Sequence, residues 1–231
     1  MTPSTKKDQT ADHLRYNPLF QDLTPPQFDF ISENLKYRTY KKGETISHCR
    51  GLVRYTYFII SGKIKLCEID CAGNELIKDV LKENDFFGDL LPTRNHLNFE
   101  YVEVISGRVL ICKIPSLVIN DLIKNNPNFS LKLNTELWEK YRKIENRFKN
   151  VAYLKDVKTR LINFFKDWAT SEGEQIGSTV KLQNYLTHKD IASLICSTRV
   201  TVTNILNQLR EAGDINYSKG QIEIVDIHNF E

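Results

Sequence analysis

What this sequence lacks removes most function classes before any motif is read. No stretch approaches the run of about eighteen apolar residues that a membrane-spanning helix needs. The opening MTPSTKKDQTADHLRYN is polar and carries no apolar signal core, so the expected compartment is the cytoplasm. Cysteine is sparse and odd in number: Cys49, Cys67, Cys71, Cys112 and Cys196 read as reduced thiols, not as a disulfide framework. The five histidines (His13, His48, His96, His188, His228) are scattered, with no His-x-His pair to gather a catalytic metal. No phosphate loop G-x-x-x-x-G-K-[ST] and no nucleophile motif is present. The expectation is a protein that is not an enzyme and holds no metal. Bulk charge is equally uninformative. The net charge is +3, and residues 152–231 hold nine Lys/Arg against ten Asp/Glu. Any case for nucleic acid must therefore rest on where the side chains stand.

What is present divides the chain. At 231 residues it is long enough for two domains, each with its own core. Residues 1–17 read as a polar tail, and Thr24 caps a short helix over Pro25–Leu35. From Tyr37 to Ile114 short β-rich runs follow one another: Thr56–Ile60, Lys63–Glu68, Ile77–Leu81, Tyr101–Ser106 and Val109–Ile114. Glycines 43, 62, 73, 88 and 107 punctuate them, which predicts an antiparallel sandwich or barrel. Pro115 opens helical sequence, and residues 128–151 read as one long helix. Its apolar residues Leu133, Leu137, Tyr141, Ile144, Phe148 and Val151 step by three and four, a narrow seam of coiled-coil type. A second copy of the chain is the simplest partner for that seam, and the chain's own β domain is the alternative. Beyond a join at Ala152–Asp156, Val157, Leu161, Phe164, Phe165 and Trp168 share a helix face. Then come the loop SEGEQIGS, a strand pair at Val180–Leu182 and Tyr185–Leu186, two helices, and a hairpin of 215–217 with 221–225.

The most specific segment is THKDIASLICSTRVTVTNILNQLR, residues 187–210. Thr187 and Asp190 form a capping-box pair, and Ala192 is small where two helices would cross. The spacing of Ala192, Cys196, Val202 and Ile205 is that of a helix-turn-helix, with Cys196 where a glycine is usual. The second helix, opened by Ser197 or Thr198, presents Arg199, Val200, Thr203 and Asn204 outward. Arginine can pair with guanine, asparagine with adenine, and Val200 or Thr203 can meet a thymine methyl. Thr187, His188, Thr198, Thr201 and Lys219 stand where phosphates would be met.

Together these features resemble the CRP/FNR family of transcription regulators. The resemblance rests on Tyr40–Ile46, Tyr57–Leu66 and Asn84–Leu90 in the β region and on the helix-turn-helix, and it spans roughly Pro18 to Val225. It implies an α+β protein in four parts: a tail (1–17), a β-roll sensor domain like the cyclic-nucleotide-binding jelly roll (18–126), a dimerisation helix (127–151) and a winged helix-turn-helix (152–231). It also implies a homodimer on double-stranded DNA of two-fold symmetry, and contact with RNA polymerase. By position, Arg199 matches a base-reading arginine, Val200 replaces a glutamate, and Asn204 replaces a second arginine. The dimer seam would be Leu133, Leu137, Tyr141, Ile144 and Phe148.

The effector pocket departs from the cyclic-nucleotide pattern. Gly88-Asp89-Leu90 carries a shorter carboxylate, and Phe99 and Glu100 occupy the positions of the phosphate-neutralising Arg-Ser pair. A ring donates no hydrogen bond to phosphate and a carboxylate repels it. Arg94 stands in the intervening loop as a substitute. Cyclic AMP is therefore not the expected ligand. The effector is expected to be apolar or absent. Haem on His48, Cys49, His96 or Cys112 remains an alternative. The iron–sulfur members of the family use clustered N-terminal cysteines, and no cysteine precedes Cys49. Cys67 and Cys71 would make only half a metal site. The competing function is a cyclic-nucleotide- or haem-binding sensor module that acts through a protein partner.

Overall fold

The computed structural model describes residues 13–46, 54–69, 73, 75–90, 99–153, 156–218 and 220–231. The chain divides into two compact units, Met1–Lys140 and Tyr141–Glu231.

The first unit is two four-stranded antiparallel sheets. One has the order β1 (Lys36–Lys41), β8 (Arg108–Pro115), β3 (Tyr55–Ser61), β6 (Phe86–Gly88). The other runs β2 (Thr45–Ile46), β7 (Phe99–Val104), β4 (Ile64–Ile69), β5 (Glu75–Leu81). Ile46, Tyr57, Ile59, Ile64, Leu81, Phe87, Val102, Val104, Val109 and Ile111 fill the space between them. The outer face of the first sheet is buried too. There Phe58, Phe86, Cys112 and Ile114 meet Leu14, Phe20, Phe28, Ile31, Ile119, Leu122, Phe129 and Leu133. This explains why β3 reads as the unbroken run Tyr57-Phe58-Ile59-Ile60: a strand covered on both faces has no polar side to alternate with. Burying Phe58 alone contributes roughly 1.5–3 kcal/mol. At the β3–β4 hairpin Gly62 has φ 91°, and a Cβ there would collide with the Arg108 carbonyl. Only glycine fits that position.

Helix α1 (Pro25–Asn34) begins at the Thr24 capping box, with the Gln27 side chain returning to the Thr24 N–H at 3.1 Å. Helix α2 (Ser116–Asn125) follows β8, and α3 runs from Pro127 to Tyr153. Two expectations need correcting. Leu14 is fully buried and Asn17 caps the turn at Pro18–Phe20, so the tail ends before the core-forming Leu14. Leu133 is only 5% exposed because it packs in its own unit's core. The first half of α3 is thus the last helix of the β unit, and Lys140 there donates to the Phe86 carbonyl at 2.7 Å. The exposed part of the seam begins at Leu137 and continues through Tyr141, Ile144, Phe148 and Val151.

In the second unit α4 (Val157–Glu172) starts at Asp156, whose carboxylate accepts the Thr159 N–H at 2.9 Å. Its Leu161, Phe165 and Trp168 are buried, as the sequence face predicts. A four-stranded sheet follows, in the order β11 (Ile215–Ser218), β12 (Gln221–Ile224), β10 (Thr179–Gln183), β9 (Glu174–Ile176). The predicted pairing of Val180–Leu182 with Tyr185–Leu186 does not occur. The partners of β10 are β9, which lies inside the expected loop, and β12. Tyr185 instead turns its ring edge to Trp168, 5.0 Å between centroids, and its hydroxyl donates to Glu172 at 3.0 Å. An aromatic with a polar tip satisfies both ends better there than in a ladder.

Candidate nucleic-acid interface

Helices α5 (His188–Leu194) and α6 (Arg199–Glu211) form the helix-turn-helix, and each has a built start. At α5 the Asp190 carboxylate accepts the Thr187 N–H at 2.9 Å and its hydroxyl at 2.7 Å, while Thr187 Oγ1 accepts the Asp190 N–H at 3.1 Å. At α6 the cap is Thr198, whose hydroxyl accepts the Thr201 N–H at 3.1 Å. Ile191, Ala192, Val202, Ile205 and Leu206 are buried at the crossing. Cys196 takes φ 53°, the left-handed conformation expected of the missing glycine. For a side chain with a Cβ that conformation costs about 1–2 kcal/mol. It closes α5 in a Schellman arrangement, with the Ser197 N–H on the Ala192 carbonyl at 2.8 Å and the Cys196 N–H on that of Ser193 at 3.3 Å.

The structure sorts the predicted DNA contacts into two groups. Arg199, Val200 and Asn204 are exposed at the start of α6, with Val200 at 68%. Thr203 is not: its hydroxyl donates to the Arg199 carbonyl at 2.8 Å and lies 2.9 Å from His188 Nδ1. That leaves only its methyl for a base. With the Thr203 proton on Arg199 a neutral ring meets that hydroxyl with Nδ1–H and leaves Nε2 an acceptor, and the other tautomer reverses both roles. His188 is half-buried, with its ring edge on Tyr217, 5.5 Å between centroids. Burial, and after it the Arg199 guanidinium, hold its pKa below the usual histidine value. Thr187 gives its hydroxyl proton to Asp190, so in the protein alone that hydroxyl serves as a cap. Thr198 and Thr201 face each other, 2.9 Å between hydroxyls, at the exposed head of α6. Lys219 lies outside the described residues; its neighbours Ser218 and Gly220 turn the hairpin.

Sequence reasoning missed two groups. Arg160, in the first turn of α4, donates Nε to the Ile195 carbonyl at 3.0 Å and Nη2 to that of Cys196 at 3.1 Å. Asn184 donates to the Tyr217 hydroxyl at 2.7 Å, steadying the ring that His188 meets. Neither carries a local sequence signal, because both act across the fold.

In the β unit Gly88 has φ 89°, and a Cβ would come within 2.5 Å of the Tyr55 carbonyl. Asp89 is buried, 3.5 Å from Arg54, and its own carbonyl accepts the Thr56 hydroxyl at 2.7 Å. Leu90 packs against the outer core. Glu100 is tied to Lys78, which also meets Glu68 at 3.3 Å. Phe99 pairs by its backbone with Ile69. Arg94, His48, Cys49, Cys71 and His96 lie outside the described residues. Burial pushes the Cys67 and Cys112 thiols up to about 12. Among the described residues no three His, Cys, Asp or Glu gather at a metal site, and none of the helices is long and apolar enough to cross a membrane.

The same two-part build is found by comparison. Residues 37–126 match the model of the cyclic nucleotide-binding domain, and residues 159–231 match that of the Crp-like helix-turn-helix domain. The chain belongs to the CRP/FNR family. It is a transcription regulator of that type, and DNA binding and dimerisation are implied by the family. Among its relatives is a global nitrogen regulator of Synechocystis sp., 29% identical over 210 residues, 90% of this chain and 89% of that one. Another, from Nostoc sp., is 29% identical over 187 residues, covering 80% and 83%. Among solved structures, FixK2 from Bradyrhizobium japonicum superimposes with a TM-score of 0.71 at 17% identity, covering 85% of this chain and 97% of that one, and so shares the fold.

Proposed function

We propose that this protein is a homodimer that reads an inverted-repeat DNA site with α6, and that its β unit takes a signal other than a cyclic nucleotide. The observation that carries the proposal is the head of α6, where Arg199, Val200 and Asn204 stand exposed behind a helix start fixed by Thr198. These three offer a guanine pair, a thymine-methyl contact and an adenine pair on one helix face. Dimerisation uses Leu137, Tyr141, Ile144, Phe148 and Val151, which recur at heptad spacing and are all exposed in the single chain. Two copies would place the recognition helices in successive major grooves, about 34 Å apart. Contact with RNA polymerase is part of the proposal through the family. So is action in the cytoplasm, where a chromosomal site is reached.

The charges at the positions of the family's nucleotide pocket support a different signal. Asp89 is engaged by Arg54, and Lys78 by two carboxylates, so these two cations, among the described residues, are already neutralised. A cyclic phosphate would have to displace them and would meet Glu100. Selection of random duplex DNA by the purified, ligand-free protein, read by sequencing, tests the function. An inverted repeat supports it. No enrichment from a folded dimer means that its signal is required or that the helix-turn-helix reading fails, and an inverted repeat recovered only with cyclic AMP contradicts the signal proposed.

A further inference from the structure

The Schellman closure of α5 satisfies the Ala192 and Ser193 carbonyls, but those of Ile195 and Cys196 lie beyond it, in the join that sets the angle of α6. Arg160 takes both, Nε on Ile195 and Nη2 on Cys196. A guanidinium is planar and holds its donors in a fixed fork, so two consecutive carbonyls bound to it fix the peptide between them. That peptide precedes Ser197 and Thr198, the cap of α6, and the next residue is Arg199. Packing of α4 on α6 is supplied separately by buried Leu161, Phe165, Val202 and Ile205. The fork therefore has little to do for the core and much to do for the direction in which the chain leaves the turn.

We propose that Arg160 is the positioning residue of the recognition helix, so that discrimination between DNA sequences, more than DNA affinity as such, depends on it; this rests on the DNA-reading role of α6 argued above. Arg160 stands one turn after the Asp156 cap, where α4 begins. A change in the start of α4 therefore has a direct route to the turn through this side chain. Lysine cannot replace it fully, because a single ammonium does not hold two carbonyls in a fixed plane.

The test uses full-length Arg160→Gln and Arg160→Lys with a selected duplex and a shuffled one of equal length. It adds hydrogen exchange of the Cys196 and Ser197 amides without DNA. For Arg160→Gln, binding to the selected duplex should weaken by about tenfold or more, and binding to the shuffled duplex by less than about twofold. Arg160→Lys should fall between, the salt dependence should not change, and the two amides should exchange faster. Equal weakening on both duplexes with a shallower salt dependence would make Arg160 a phosphate contact and overturn the proposal, as would unchanged discrimination. If the unmodified protein itself fails to discriminate, the DNA-reading function falls, and the exchange measurement decides alone. Faster exchange would keep Arg160 as the holder of the turn, and unchanged exchange would overturn that too. Should the Gln variant not fold, the Lys variant carries both measurements.

Discussion

Replacing Ile144 with Asp should convert the protein to monomers at concentrations where the unmodified chain is dimeric. Ile144 is 61% exposed in the single chain, and its seam neighbours Tyr141 and Phe148 are exposed as well. Fully burying an isoleucine is worth roughly 1.5–3 kcal/mol, and about two-thirds of that remains to be gained when a partner covers this one. Two copies bring two such side chains, so the loss is about 3 kcal/mol, roughly two orders of magnitude in the dimer dissociation constant. The cost of enclosing two like charges adds to it. Sedimentation velocity over a concentration series measures the shift. The control is Asn146→Asp, the same new charge on an exposed residue two positions along. That residue faces away from the seam at 100° per residue. The reasoning is refuted if Ile144→Asp and Asn146→Asp leave the dimer equally intact, or if both dissolve it.

Other consequences follow from the second unit. Asp190→Ala removes a buried carboxylate and leaves the Thr187 N–H and hydroxyl without their acceptor. It should cost about 2 kcal/mol or more, visible as an earlier urea transition of Trp168 fluorescence, whereas a loss under about 0.5 kcal/mol would contradict the capping account. Cys196→Gly relieves the left-handed strain and should stabilise by about 0.5–1 kcal/mol after the entropy of glycine is set against it; net destabilisation would mean that the thiol packs usefully. His188 has a lowered folded pKa, so the unfolded chain binds the proton more readily. Its contribution to stability is present above about pH 6.5 and is lost as pH falls from there toward the folded value. The urea midpoint should drop over that window, and the His188→Asn variant should drop less. Equal pH profiles would remove His188 from the linkage.

Much of this architecture is legible in the sequence wherever the signal is local. The capping pair Thr187/Asp190, the small Ala192 and the spacing to Val202 and Ile205 all lie within one short segment, and each landed where the pattern put it. Cys196 at φ 53° is the same kind of success, since a helix-turn-helix demands that backbone conformation whichever residue sits there. Failures came where tertiary packing outweighs pattern. Leu133 continues the heptad seam, yet belongs to the core of the β unit, because periodicity marks a face without saying what covers it. Tyr185–Leu186 has strand composition, but Tyr185 is claimed by Trp168 and Glu172. Thr187 and His188 carry polar atoms that pattern alone turns toward phosphate, yet in the protein they are bonded to neighbours inside the motif, while Thr203 keeps a methyl for the thymine contact expected of it. Arg160 was invisible for the opposite reason, since its partners are carbonyls, which every residue has.

The most direct test of the central claim is the base-by-base binding profile of Arg199→Ala on the selected site. Arg199 is exposed at the head of α6 and faces DNA only if that helix is the reader. Loss of its pairing should cost about 1–3 kcal/mol and flatten the preference at one symmetry-related pair of positions, leaving the others as they were. A uniform loss across all sequences, or an unaltered profile, would contradict the assignment of α6 as the recognition helix.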